Sequence, residues 1–310
     1  MSFQLDYRLP SPLQILSHPL FTEKQVSVYI KRDDLIHPMI SGNKWRKLKA
    51  AIESLDANNL RGIASFGGAY SNHLHALAYA GKTLDFKTLG WVRTHALDPN
   101  NATLNDCKRW GMQLQPVSRS QYRQQQEPEN LKRLKESFKD YRILPEGGAD
   151  ASNFIGIQEL VREVKEHFDF WLLPVGSGAT LSALVAALDY PAQILGISVL
   201  RGMNWRQCID KQLEQIQQCY AHKKAFACQY AILENYHFGG YAKWSRELLD
   251  FIEDFSKSYH IPCEPIYSGK ALFALMDLAF NNAFPPHSKI LFLHTGGLQG
   301  LRGIKQTQTA

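Results

Sequence analysis

The chain has 310 residues, 45% hydrophobic and 21% charged, with a formal net charge of +6. This composition excludes wholesale disorder and collagen-like or disulfide-rich classes, and the length suits one large domain or two modest ones sharing a cleft. No apolar run approaches a membrane span, and the start, Met1 to Asp6, has neither a basic nor an apolar leader region. A cytoplasmic protein without membrane contact is therefore expected.

Lys and Arg are interleaved with acids along nearly the whole chain; even Tyr122 to Arg142 carries Glu127, Glu129, Glu136 and Asp140 among its bases. Such a mixed run reads as a solvated helix face rather than a nucleic-acid surface, so no nucleic-acid partner is expected. The positive balance would instead help to draw in anionic ligands. Cys107, Cys208, Cys219, Cys228 and Cys263 are odd in number, widely spaced and without a C-x-x-C pair. They read as reduced, mostly structural thiols, with no metal site.

From residue 26 onward, β-rich runs at 26–30, 62–66, 87–92, 113–117, 170–175, 193–199 and 289–294 alternate with helix-period stretches at 45–55, 152–167, 205–220, 241–259 and 270–281. That alternation predicts βαβ units and a doubly wound, mostly parallel sheet, split between two domains. Ligands of such folds bind in the turns beyond the carboxyl ends of the strands.

Several of those turns are rich in small and polar residues. Ser41-Gly42-Asn43-Lys44 opens the first strong helix, placing Lys44 in a first turn where the helix dipole disfavours an ammonium. A lysine made less basic in this way can form a Schiff base with an aldehyde. Lys47, on the same helix face, is placed to meet a phosphate or is a plain surface lysine. Ser71-Asn72-His73 follows the Gly67-Gly68 turn; Ser71 is either an ordinary N-cap or, with the helix-start N–H groups, a carboxylate site. Gly176-Ser177-Gly178-Ala179-Thr180, between an apolar strand and a small-residue helix, has the make-up of a phosphate cradle. It lacks the Walker lysine and the dinucleotide spacing. Tyr267-Ser268-Gly269-Lys270 and His294-Thr295-Gly296-Gly297 close the series. A basic, non-catalytic binder of anions or nucleic acid is the reading from another class.

Taken in this order, the turns resemble the family of 1-aminocyclopropane-1-carboxylate deaminase and D-cysteine desulfhydrase, in fold type II of the pyridoxal-phosphate enzymes. The resemblance runs from Tyr29 to Gly297, through Lys31-Arg32-Asp33-Asp34-Leu35, Gly42-Asn43-Lys44-x-Arg46-Lys47-Leu48 and the turns named above. It implies an α/β protein with two doubly wound, mostly parallel open sheets, like the tryptophan synthase β chain. Residues 1–45 and 148–310 would form the larger cofactor domain, and residues 46–147 a smaller inserted one.

By the same resemblance, Lys44 holds pyridoxal 5'-phosphate covalently, Asn72 meets its ring oxygen, and Lys47 with Gly176, Ser177, Gly178, Ala179 and Thr180 holds its phosphate. Ser268 and Thr295 stand at the ring-nitrogen side. Ser71, Asn72 and His73 meet a small amino-acid substrate, and Ser71, Tyr241 and Tyr267 join Lys44 as catalytic residues. A homodimer is expected. The ring-opening deaminases carry Gln where this chain has His73, Glu where it has Ser268 and Leu where it has Thr295. All three differences imply the desulfhydrase branch, with D-cysteine as first substrate, ring-opening deamination being the alternative. Ser41, Tyr70, Leu74-His75-Ala76 and the glycine run before Tyr241 depart from the family pattern and leave the substrate open.

Overall fold

The computed structural model describes residues 6–40, 42–220 and 226–303. The departure noted at Ser41 lies outside them. In chain order the strands are β1 (Leu13–Ile15), β2 (Ser27–Lys31), β3 (Gly62–Gly67), β4 (Lys87–Arg93), β5 (Gln113–Val117), β6 (Tyr141–Leu144), β7 (Phe170–Val175), β8 (Gln193–Ser198), β9 (Gln229–Leu233) and β10 (Lys289–Leu293). The helices are α1 (Pro19–Glu23), α2 (Asn43–Ala57), α3 (Asn72–Leu84), α4 (Ala102–Arg109), α5 (Arg119–Arg123), α6 (Pro128–Ser137), α7 (Asn153–Glu163), α8 (Ala179–Ala187), α9 (Trp205–Tyr220), α10 (Arg246–Tyr259) and α11 (Ser268–Phe280).

These strands form two sheets, in the orders β1-β2-β10-β7-β8-β9 and β5-β4-β3-β6. Only β1 pairs antiparallel, against β2; the other pairings are parallel. The expected α/β class with two mostly parallel sheets is therefore what the chain adopts. Alternate residues of the buried strands supply opposite faces, as the two-residue period of a strand requires: Leu291 and Leu293 pack into one core, Ile290 and Phe292 into the other. In the smaller sheet Ile63 and Val92 face one cluster while Ala64, Phe66 and Trp91 face the second.

Several local expectations are corrected. The helix expected from 241 begins at Arg246, with Ser245 as its N-cap accepting from the Leu248 N–H at 3.2 Å. Positive φ angles at Gly239 and Gly240 keep Tyr241 in the loop before it. The stretch expected as one solvated helix face holds up only for α6, which buries none of its residues; Tyr122 is 3% exposed, and Tyr141 and Arg142 belong to β6. The helix expected to reach 167 stops at Glu163.

The charged stretch Lys31 to Asp34 is buried and anchors the start of α2. Arg46 donates through Nε to Asp33 Oδ2 at 2.7 Å and through Nη1 to Glu163 Oε1 at 3.0 Å. Lys31 also bonds Glu163, while Arg32 grips Asp34 through two N–H groups at 2.9 and 2.8 Å. Removing one member of such a buried set leaves an uncompensated charge, at a cost of about 3–5 kcal/mol. These ions hold the helix that carries Lys44. No helix among the described residues is long and apolar enough to cross a membrane.

Candidate active site

The carboxyl ends of both sheets face one another, and the turns that follow β3, β6, β7 and β10 meet there. A Cβ placed on Gly147 would lie 3.8 Å from Ser177 Oγ, one on Gly148 3.0 Å from the His73 ring, and one on Gly297 3.3 Å from Asn72 Nδ2. Gly42 fixes the remaining approach. With φ 68°, its added Cβ would stand 1.7 Å from the Thr295 carbonyl oxygen, so only glycine lets α2 begin against this turn. The Asn43 N–H then donates to that same carbonyl at 3.2 Å.

Asn43 also joins α2 to α8, its Nδ2 donating to Thr180 Oγ1 at 3.0 Å. Beside it the Lys44 ammonium donates to Asn43 Oδ1 at 2.7 Å. Desolvation lowers Lys44 to about 8, although Glu264 pulls it upward. Lys47 is buried, with its Nζ 3.3 Å from the Gly147 carbonyl, and desolvation together with the charge of Lys44 holds it well below its ordinary value. His73 is buried next to both lysines and falls to about 3, chiefly by burial, so its ring is neutral. Its Nε2 pairs with Ser65 Oγ at 2.9 Å.

Ser71 is the N-cap of α3, accepting from the Leu74 N–H at 3.2 Å, as its ordinary reading required. Tyr267 lies over Gly176, whose added Cβ would be 3.0 Å from its ring. Its ring centroid is 6.1 Å from that of Tyr241 at 70°. Desolvation and the neighbouring Tyr241 hydroxyl push the Tyr267 phenol well above its ordinary value.

Sequence reasoning gave Glu264 no role. Glu264 is 0% exposed, and its carboxylate accepts from the N–H groups of Ile266 (2.7 Å), Tyr267 (2.8 Å) and Ser268 (2.8 Å) and from Ser268 Oγ (3.2 Å). Ser268 thus spends its hydroxyl on Glu264. The signal in the sequence was an acid four residues ahead of a helix start, a capping position at one remove.

The chain matches the family model described as pyridoxal-phosphate dependent enzyme over residues 6–296. It belongs to that family. A Thermotoga maritima protein provisionally named 1-aminocyclopropane-1-carboxylate deaminase is 28% identical, over 94% of this chain and 95% of its own. A mitochondrial protein of Arabidopsis thaliana, named bifunctional D-cysteine desulfhydrase/1-aminocyclopropane-1-carboxylate deaminase, is 26% identical over 94% of this chain and 77% of its own. A crystal structure of an ACC deaminase homologue superposes with a TM-score of 0.80 at 28% identity, covering 98% of this chain and 95% of that one. This is a fold type II enzyme, and its cofactor is pyridoxal phosphate.

The residues present suit that cofactor. Lys47 is a buried amine whose hydrogen-bond acceptor is a carbonyl, and α8 follows its N-cap Gly178 with no side-chain cap on its first N–H groups. Amine and open helix start are joined through Gly147, Ser177 and the Asn43–Thr180 bond, an environment that an anion would complete. Asn72 Oδ1 and His73 Nδ1 are buried without a hydrogen-bond partner among the described residues. Gly178 has φ 80°, and its added Cβ would meet Ile209 Cδ1 at 2.8 Å. Gly178→Val is therefore expected to weaken retention of pyridoxal phosphate by about tenfold or more while the far-ultraviolet circular dichroism stays unchanged. Equilibrium dialysis of the cofactor measures it, and unaltered affinity would put the phosphate elsewhere.

Proposed function

We propose that the enzyme catalyses β-elimination from a small D-amino acid, D-cysteine first, giving pyruvate, ammonia and sulfide. The observation that carries the catalytic reading is Lys44, an amine lowered to about 8 at the start of α2, against the uncapped start of α8. In this reading Lys44 holds the cofactor, while Lys47 and Gly176 to Thr180 receive its phosphate. Asn72 would meet the ring oxygen, and Ser268 and Thr295 would stand on the ring-nitrogen side. The cofactor, when bound, supplies an electron sink for the carbanion formed at the substrate α-carbon.

Ser71 retains its O–H for the substrate carboxylate after accepting from Leu74, and Asn72 and His73 complete that end of the site. The Lys44 amine, freed when the substrate amine takes its place, would remove the α-proton. The Cβ–S bond breaks with its electron pair on sulfur, and the hydroxyl of Tyr267 or of its neighbour Tyr241 gives the leaving thiolate a proton. Aminoacrylate is released and adds water to yield pyruvate and ammonia. A cytoplasmic homodimer, divided into residues 1–45 with 148–310 and residues 46–147, belongs to the same proposal.

His73, Ser268 and Thr295 together support the desulfhydrase branch: Ser268 brings no carboxylate to the ring nitrogen, and the Thr295 hydroxyl leaves that nitrogen nearer neutrality than a free carboxylate would. Glu264 does not reverse this, because its oxygens are taken up by the start of α11. The names carried by relatives at 28% identity favour ring-opening deamination as a second reading. The two substrates assayed side by side at neutral pH distinguish them. Sulfide and pyruvate should form from D-cysteine with a kcat/KM on the order of a hundredfold above that for 2-oxobutyrate from 1-aminocyclopropane-1-carboxylate. Predominant 2-oxobutyrate would reject the desulfhydrase assignment.

A further inference from the structure

Lys270 ends the turn Tyr267-Ser268-Gly269-Lys270 and has no part in the reaction described above. It is 0% exposed, and its Nζ donates to the carbonyls of His237 at 2.7 Å and Gly240 at 2.8 Å. A buried ammonium is among the costliest groups to take out of water, and here its hydrogen-bond acceptors are neutral carbonyls. Burial lowers it to about 8, which leaves it mostly protonated, and so a donor, at neutral pH.

The turn it grips needs a restraint. Phe238 (φ 50°), Gly239 (φ 93°), Gly240 (φ 117°) and Ala242 (φ 54°) all have positive φ, and two of them carry side chains that disfavour it. Within the turn, Gly240 N–H donates to the His237 carbonyl at 3.0 Å and Lys243 N–H to the Gly240 carbonyl at 3.2 Å. The two carbonyls that close the turn are therefore the two that Lys270 binds. Between them and α10 stands Tyr241, 45% exposed yet in edge contact with Tyr267. Tyr267 is the N-cap residue of α11, and Lys270 lies in the first turn of that helix. One helix start thus carries one tyrosine and holds the loop that carries the other.

We propose that Lys270 is a positioning residue whose ammonium clamps residues 237–242 and so keeps Tyr241 against Tyr267. The catalytic half of this inference rests on the role given above to the two tyrosines; the clamp itself does not. The test uses the holoenzyme, with hydrogen–deuterium exchange at the amides of 238–242 read beside turnover. In Lys270→Ala, exchange at these amides should rise and turnover should fall, each by about tenfold or more. Methylammonium, which replaces the lost ammonium, should restore both.

The double variant Lys270→Ala/Tyr241→Phe should be no slower than Tyr241→Phe alone, because both changes remove one function. Lys270→Met fills the volume without donors, so it should show the faster exchange with no response to methylammonium; it also carries the test if the alanine variant does not fold. Unchanged exchange in 238–242, or losses of turnover that multiply in the double variant, would overturn the proposal. Full turnover in Tyr241→Phe strikes the role of that tyrosine instead, and methylammonium-reversible exchange would still uphold the clamp.

Discussion

Lys44→Ala is expected to abolish covalent attachment of pyridoxal phosphate and to lower turnover by about 10^3-fold or more, the range for removing a positioned proton-transfer group. The size follows from what the fold does to this amine. An ordinary lysine at 10.5 is about 0.03% neutral at pH 7, whereas one lowered to about 8 is roughly 10% neutral. Desolvation between α2, α8 and the turn after β10 thus raises the reactive fraction by about 300-fold before any chemistry begins. The pH dependence has a definite sign. Attachment of the cofactor to apoenzyme should speed up as pH rises through about 8, rather than continuing to climb towards 10.5. Borohydride reduction followed by peptide mapping reads the attachment site, and pyruvate formation reads the turnover. A Lys44→Ala protein that keeps either its covalent cofactor or its activity would transfer the role to another lysine, Lys47 first.

The helix start that carries Lys44 was legible because it was written locally: a glycine and an asparagine ahead of an amphipathic run. The burial that lowers its amine was not, since it comes from elements distant in the chain. The buried strand β7 was also written locally: it has the bounds its apolar run predicts, since a strand covered on both faces has little freedom of composition. The strands that went unread are short or at the sheet edges. All three residues of β1 are exposed, β9 buries none fully, and β6 follows a charged stretch that reads as solvated helix.

In the site, the turns were legible but their convergence was not. That Gly42 is pressed on the Thr295 carbonyl, or that Asn43 bonds Thr180, depends on the return of β10 and β7 beside β2, which no local pattern encodes. Glu264 and Lys270 were hidden by base rate, since Glu and Lys are almost never fully buried unless something binds them. What binds them here is backbone: three N–H groups for the acid, two carbonyls for the base.

Replacing Glu264 is expected to have the second large effect, on stability and on Lys44 together. Glu264→Leu would leave the N–H groups of Ile266, Tyr267 and Ser268 buried without their acceptor, at about 1–3 kcal/mol for each group that water cannot reach. A loss of several kcal/mol is thus expected, read as a lowered midpoint in denaturant. Glu264→Gln separates charge from packing, because it keeps the volume and one carbonyl acceptor. Glu264 is the acid that pulls Lys44 upward against desolvation, so its neutralisation should carry Lys44 further below about 8. The midpoint of the pH dependence of cofactor attachment should then move to lower pH in Glu264→Gln, while Lys44→Ala shows no attachment at any pH. A midpoint that stays put or rises would mean that the carboxylate is already protonated in the native protein, the direction in which burial pushes it against the hydrogen bonds of Ser268, Ile266 and Tyr267. In that case Glu264 would act on the site only as the cap that holds α11, and with it Tyr267, in place.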